Sequence, residues 1–339
     1  MIYVDTTSAS SWRHSSGLAR VSRRLLEELG ESAKPAKWPS MATQPANGDW
    51  ILSPELFSEQ ERPGFTDFLG HSPCRLAAVF HDAIPLKQPG ITWPKSVERH
   101  PSYMKLLARF DRIWAVSSAS RDELAGFWKW QGVRSAPQVD VLHLGSDWGG
   151  VARATGAPPA PAVPPRIVSI GILEPRKNQT LLLDAFEVLR GEGIEAELHL
   201  VGRVNPHFGS PIEKRMAQMA ERWSGLHHHA EMGDKELESL VRSARATAFP
   251  SIAEGCGLPL LESLWMGVPC ICSDIPPVLE NAAGGGCHVV RGNGVAGWVD
   301  GLRRILSSDS YRHQLAAEAM GRSLPTWASA ARVLRESLA

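Results

Sequence analysis

Residues 249–262 read Phe249-Pro-Ser-Ile-Ala-Glu254-Gly-Cys-Gly-Leu-Pro-Leu-Leu-Glu262, two carboxylates eight positions apart around a pair of glycines. Gly255 and Gly257 free the backbone to approach a ligand closely. Pro259 suits the first turn of a helix opening near Leu258, where its missing N–H costs nothing. Unpaired amides at such a helix start suit an anion. Glu262 falls about one turn into the helix, within reach of a vicinal diol such as a ribose, and Glu254 precedes it on the loop. The plainer reading makes Glu262 an early-helix glutamate favoured by the helix dipole and Glu254 a solvated loop residue.

A second stretch, Ser169-Ile-Gly171-Ile-Leu-Glu174-Pro-Arg176-Lys177-Asn178, follows an apolar strand pattern. Arg176 and Lys177 side by side would neutralise a diphosphate and stabilise it as it departs with extra negative charge. The alternative is a solvated charged turn. In the first half, the apolar run Ala77 to Phe80 ends in His81-Asp82-Ala-Ile-Pro85, whose imidazole can hydrogen-bond a hydroxyl. A lone histidine at a strand end is more often structural.

These stretches lie at the ends of short apolar runs that alternate with helical patterns. Trp50–Ser53, Arg75–Phe80, 112–117 and 139–142 read as strands, as do residues 1–5; Gly17–Leu29 and 117–128 read as helices. Residues 152–165 are too rich in Pro and Ala to join a sheet and read as an extended linker. Beyond it, strands at Arg166–Ile170, Glu197–Val201, 247–250 and 269–273 alternate with helices at 179–189, 234–244 and 258–266. Strand and helix in turn imply an α/β fold of two doubly wound parallel-sheet domains with a cleft between them, ligands binding where strands end. The expected boundaries are 1–151, the linker 152–165, 166–322, and a terminal helical segment 323–339 packing back towards the first domain.

A length of 339 residues fits two domains of about 150 residues each. Lys plus Arg and Asp plus Glu are balanced at 36 each, so no global field draws the chain to nucleic acid. The five cysteines are odd in number and lack metal-type pairing, which reads as reduced and buried. The opening residues read as a strand rather than a signal peptide, and no apolar run approaches the roughly 18 residues of a membrane span. A cytoplasmic protein is expected. The triplet His227-His228-His229 cannot all ligate one ion, because consecutive strand residues alternate faces; it reads as a solvated edge.

Gly-x-Leu-Glu-Pro-Arg-Lys-Asn followed by Glu-Gly-x-Gly-Leu-Pro-x-x-Glu resembles the retaining GT-B glycosyltransferases of family 4, the group 1 glycosyltransferases, and Leu200-Val-Gly202 and Pro276-Pro-x-x-Glu280 extend the likeness. The resemblance implies two Rossmann-like domains and transfer of a hexose or deoxyhexose from a nucleotide diphosphate sugar. It implies catalytic roles for His81, Arg176, Lys177 and Glu254. Donor binding falls to Gly17, Gly171, Arg176, Lys177, Glu254, Gly255, Cys256, Gly257, Leu258 and Glu262, with Glu262 on the ribose and Glu254 on the transferred sugar. Acceptor binding falls to Arg20, Asp82 and Ser117. Cys256 stands where the family usually has an aromatic. His-Asp-x-Ile-Pro at 81–85 is shared with relatives using GDP-mannose, GDP-rhamnose or dTDP-rhamnose in bacterial surface polysaccharide synthesis, which favours a GDP-sugar and a glycan or lipid-linked oligosaccharide acceptor.

No Asp-x-Asp occurs, so no metal and no other cofactor is expected, the cations standing in for the ion. Ser16-Gly17-Leu-Ala-Arg20 resembles the family's glycine-x-x-arginine entry, and Ser117 to Asp122 its segment after the fourth strand, where capping is expected of Ser118 or Ser120. His143-Leu-Gly145-Ser-Asp147 matches the closing sequence of the first domain, with a structural role expected. Trp12, Arg13, Arg20, Arg23 and Arg24 read either as a peripheral membrane contact or as a solvated face. Rival functions are a sugar-nucleotide epimerase, a non-catalytic nucleotide-sugar-binding module, and an NAD-dependent oxidoreductase, which would want the Gly-x-Gly-x-x-Gly that residues 6–17 do not supply.

Overall fold

The computed structural model describes residues 1–8, 17–156 and 161–339. They form two compact units, Met1–Gly145 with Pro325–Ala339, and Ser146–Leu324. Trp12 and Arg13 lie outside the described residues, as do the other residues of 9–16, including Ser16 of the glycine-x-x-arginine entry.

The first unit is a six-stranded parallel sheet of β1 (Ile2–Asp5), β2 (Ala33–Ala36), β3 (Trp50–Ser53), β4 (Arg75–Phe80), β5 (Arg112–Ala115) and β6 (Val139–Val141), ordered β2-β1-β3-β4-β5-β6. Helices cover both faces, so its inner strands are apolar almost without interruption. β3 and β4 are buried nearly end to end, and Ile51, Leu76, Phe80 and Ile113 pack with Phe57, Phe65, Tyr103 and Phe127.

The second unit carries β7 (Arg166–Ile170), β8 (Glu197–Val201), β9 (Leu226–His229), β10 (Ala246–Phe249), β11 (Cys270–Ser273) and β12 (Cys287–Val290), all parallel and ordered β12-β11-β10-β7-β8-β9. Its core joins Ile167, Leu198 and Leu200 to Leu182, Phe186, Trp298 and Leu302 of the covering helices. The free cysteines 74, 270 and 272 are buried, while Cys256 and Cys287 are half-buried.

Several elements depart from the periodic reading. β2 reads Ala-Lys-Pro-Ala and sits at a sheet edge, where Pro35 forfeits no essential ladder bond. The helix Pro94–Leu107 starts on a proline and tolerates Pro101 inside, burying His100, Tyr103, Met104 and Leu107. The terminal segment 323–339 carries the single helix Trp327–Ser337, with Asp309–Gly321 on the other side of Pro325, as its helical pattern broken at that proline implies.

Trp327–Ser337 packs on the helix Gly17–Leu29 of its own unit, with Arg335 donating to the Glu28 carbonyl. A Cβ at Gly145 would come within 2.3 Å of the Trp327 backbone nitrogen, so only glycine lets that tryptophan seat.

Within the segment expected as a tether, Arg153 donates to the carbonyls of Leu264 and Ala319 at 2.5 and 2.6 Å and lies over the Trp265 ring. Charge-assisted bonds of this kind fasten the chain to the second unit before residues 157–160, which lie outside the described residues. No helix among the described residues is long and apolar enough to cross a membrane.

Candidate active site

In the second sheet the chain runs outward from β7 to β8 and β9, then returns to β10 on the other side of β7. The loops after β7 and β10 therefore leave adjacent strands towards opposite faces and open a crevice at the carboxyl ends of the sheet, the usual ligand position in such folds. This adjacency brings residues 171–178 against residues 250–257. The Ile252 amide donates to the Arg176 carbonyl at 2.9 Å.

Four charged side chains meet in that crevice. Lys177 Nζ donates to Glu254 Oε1 at 2.5 Å, and Arg176 Nη1 donates to Glu254 Oε2 at 3.0 Å. Arg176 also pairs through Nη2 with Glu174 Oε1 at 2.7 Å, and the other Glu174 oxygen accepts from Asn205 at 2.8 Å. Lys177 lies over the Phe249 ring, 5.1 Å from its centroid, a cation–π contact that suits a desolvated ammonium.

Burial alone would raise the Glu254 carboxyl. Lys177 and Arg176 outweigh it and hold the group below the ordinary glutamate range. Burial lowers the Lys177 ammonium, with the Arg176 charge adding to that effect against the pull of Glu254. The Arg176 side chain retains 23% of its exposure against 12% for Lys177 and 9% for Glu254, so a solvent-borne anion meets Arg176 first.

Glycines shape the walls. Gly171 has φ of 152°, and a Cβ there would sit 3.3 Å from Lys177 Cε, so the lysine stem lies across bare backbone. A Cβ on Gly202, φ 145°, would reach within 2.3 Å of the Gly171 carbonyl oxygen. Gly257 is left-handed at φ 92° and starts the helix Leu258–Trp265, with Pro259 in its first turn.

Gly255 and Leu258 are buried, Glu262, one turn beyond Leu258, is only 3% exposed, and Glu254, its side chain 9% exposed, is not the solvated loop residue of the plainer reading. The Cys256 carbonyl accepts from Asn281 at 2.6 Å. Its thiol is pushed up to about 12, first by burial and then by the charges of Glu254, Glu280 and Glu262, so it stays protonated.

In the first unit, His81 ends β4 and is buried, its Nε2 donating to the Pro54 carbonyl at 2.8 Å. That bond leaves Nδ1 as the lone-pair nitrogen. Burial first of all lowers the imidazole below the ordinary histidine value despite Pro54 and Asp82, which favours the neutral ring. Asp82 accepts from the Ile84 amide at 3.0 Å, and its carbonyl accepts from His100.

Ser117, not Ser118 or Ser120, is the helix cap: its hydroxyl accepts from the Ser120 amide at 3.1 Å, while Ser120 donates to the His81 carbonyl at 2.8 Å. Ser117, two residues beyond β5, is still extended, and that backbone path, not the serine count, selects the cap. Gly17 is exposed and Arg20 half-buried at the start of their helix. Arg23 and Arg24 pair with Glu27 and Glu28 along the same helix.

Sequence reasoning missed a buried triad beside His81. At the β1/β3 reversal of the first sheet, Arg62 Nη1 lies 2.6 Å from Asp5 Oδ2, Glu55 is nearby, and all three side chains are fully buried. The signal was an acid at the end of each of two apolar runs, Asp5 and Glu55. The histidine triplet also differs from a uniformly solvated edge: His228 is exposed, but His227 and His229 are half-buried against buried His199.

Residues 156–322 match the family described as Glycosyl transferases group 1. The chain is 28% identical over 333 residues to the serotype-specific mannosyltransferase WbdA of Escherichia coli, covering 83% of this chain and 38% of that protein. It is 31% identical over 188 residues to an MMP alpha-(1->4)-mannosyltransferase of Mycolicibacterium hassiacum, covering 53% of this chain and 42% of that one. The chain spans about two fifths of the length of the curated relatives it matches. Among solved structures, Anabaena Alr3699/HepE in complex with UDP and glucose matches with a TM-score of 0.72 over 99% of this chain and 98% of that one, at 14% identity. That likeness is one of fold.

Proposed function

We propose that this chain, whose residues 156–322 match the group 1 glycosyl transferases and whose two Rossmann-like units have the GT-B fold, is a hexosyltransferase using a nucleotide diphosphate sugar. The carrying observation is the cluster of Arg176, Lys177 and Glu254 at the β7/β10 reversal, beside the glycine loop and Glu262.

The diphosphate competes with Glu254 for the same two cations. Arg176, the more exposed, engages it first, and Lys177 supplies the desolvated charge that gains strength as the leaving group takes on negative charge. Glu254, relieved of its partners, accepts hydrogen bonds from hydroxyls of the transferred sugar. Glu262 takes the ribose diol, and the amides around Gly255 to Leu258 complete the phosphate cradle.

The transfer retains configuration: the acceptor hydroxyl attacks from the leaving group's own face and passes its proton to a donor phosphate oxygen. Cationic side chains do the work a metal does in other architectures, so transfer needs no divalent ion. His81, through Nδ1, meets a sugar hydroxyl, while Asp82, Ser117, Arg20 and Gly17 serve donor or acceptor in the first unit.

Relatives named as mannosyltransferases favour mannose as the transferred sugar, and the His-Asp-x-Ile-Pro resemblance at 81–85 favours GDP as its carrier, with rhamnose the alternative sugar. The acceptor is a growing surface glycan or a lipid-linked oligosaccharide at the cytoplasmic side of a membrane. The test is transfer from GDP-mannose, GDP-rhamnose, dTDP-rhamnose and UDP-glucose to α-mannosyl oligosaccharides, with product and donor both analysed. Glycosylated acceptor is expected. Epimerised donor with no acceptor product would assign an epimerase instead, and binding without either product a non-catalytic module.

A further inference from the structure

β9 is the outer strand of the second sheet and pairs with β8 in the register His199↔His227 and Val201↔His229. Side chains two apart share a face, so Glu197 and His199 of β8 project together with His227 and His229 of β9. His228 projects to the opposite face, its Nε2 donating to the Gly202 carbonyl at 2.9 Å. An alternating strand cannot aim three consecutive histidines at one ion, but two strands in this register gather imidazoles from both.

One ligand atom each from Glu197, His199 and His227 lies within 4.8 Å of the other two. His199 Nε2 is 3.2 Å from Glu197 Oε2, and His227 Nε2 is 4.0 Å from Glu197 Oε1. The His199 and His227 rings stack with centroids 4.4 Å apart, so the half-exposed His227 ring must turn out of the stack to aim its lone pair at an ion held by His199 and Glu197. On its other edge, His199 Nδ1 is 3.1 Å from His229 Nε2, and Arg166 Nε donates to Glu197 Oε2 at 2.6 Å. Metal sites use outer partners of this kind to fix ring and carboxylate orientation.

We propose that Glu197, His199 and His227 form a binding site for a divalent transition metal of the zinc class, apart from the Arg176–Lys177–Glu254 cluster, that fastens β9 to β8. Two imidazoles and a carboxylate are zinc-type donors, leaving one position for solvent. His229 and Arg166 are positioning residues. A metal here holds an edge strand that otherwise relies on one ladder.

The chain of residues 1–339, stripped with chelator, is titrated with zinc chloride by calorimetry and with Co2+ followed through its visible d–d bands. One equivalent per chain is expected, with the intense bands of four-coordinate cobalt. His227→Gln should weaken binding at least tenfold, and His228→Gln, removing a histidine from the same triplet but the opposite face, should leave it unchanged. Both positions reach solvent, so neither variant threatens the core, whereas buried His199→Asn is a secondary check. No stoichiometric uptake by the wild-type chain, or equal weakening by His228→Gln and His227→Gln, overturns the site.

Discussion

Glu254→Gln removes one charge at the centre of the crevice while keeping its shape. Among the described residues Glu254 is the carboxylate paired with Lys177, at 2.5 Å, and it shares Arg176 with Glu174. Removing one partner of a buried pair costs roughly 3–5 kcal/mol because the other charge is stranded. The glutamine carbonyl still accepts one hydrogen bond, worth about 1 kcal/mol, so a net loss of about 2–4 kcal/mol remains. In a unit of this size each kcal/mol moves the midpoint by about 2–4 °C. Melting of the second unit should therefore fall by roughly 4–16 °C in differential scanning fluorimetry.

Nucleotide diphosphate should rescue the variant by a larger upward shift than it gives the wild type, since the anion no longer competes with a carboxylate. The effect is also pH-dependent. The folded pKa of Glu254 lies below its ordinary value of 4.5, so its contribution is complete above about pH 4.5 and disappears as pH falls through the folded value. Wild type and variant should then converge in acid. A midpoint within about 2 °C of wild type at neutral pH, or a smaller nucleotide shift in the variant, would refute this reading of the cluster.

Glu262→Gln should weaken nucleotide affinity by about 10–100-fold, the value of one or two charge-assisted bonds to a diol, with little change for inorganic pyrophosphate; equal loss for both ligands in calorimetry would remove the ribose role. Gly202→Ala forces a Cβ to within 2.3 Å of the Gly171 carbonyl. It should lower the melting temperature and displace the loop carrying Arg176 and Lys177, so that nucleotide binding falls more than in the neighbouring control Arg203→Ala. Transfer should persist in excess EDTA at undiminished initial rate even if the chelator lowers the melting temperature through the β8–β9 histidines. Strict dependence on added magnesium would contradict electrostatic substitution by Arg176 and Lys177.

The strands bearing the crevice were legible because β7, β8, β10 and β11 are buried on both faces and read as short apolar runs ending in glycine, proline or serine. Edge strands were harder. β2 is half proline and lysine, and β12 follows three glycines, so neither carries an apolar run long enough to stand out. The motif residues placed Arg176, Lys177 and Glu254 on two loops, but not against each other. Their ion pairs depend on β7 neighbouring β10, a long-range adjacency that local periodicity does not encode. His199 and His227 are likewise 28 positions apart in sequence and come together only through strand register.

The central claim is that Arg176 and Lys177, held by Glu254, are the diphosphate site. Calorimetric titration of GDP, UDP, dTDP and ADP into the wild-type chain and Arg176→Gln tests it most directly, since Arg176 is the partly exposed cation and its glutamine variant leaves the Lys177–Glu254 pair intact. The account predicts saturable binding of one nucleotide, weakened at least tenfold in the variant and at least as much for its free diphosphate moiety. Undiminished affinity in Arg176→Gln would contradict it.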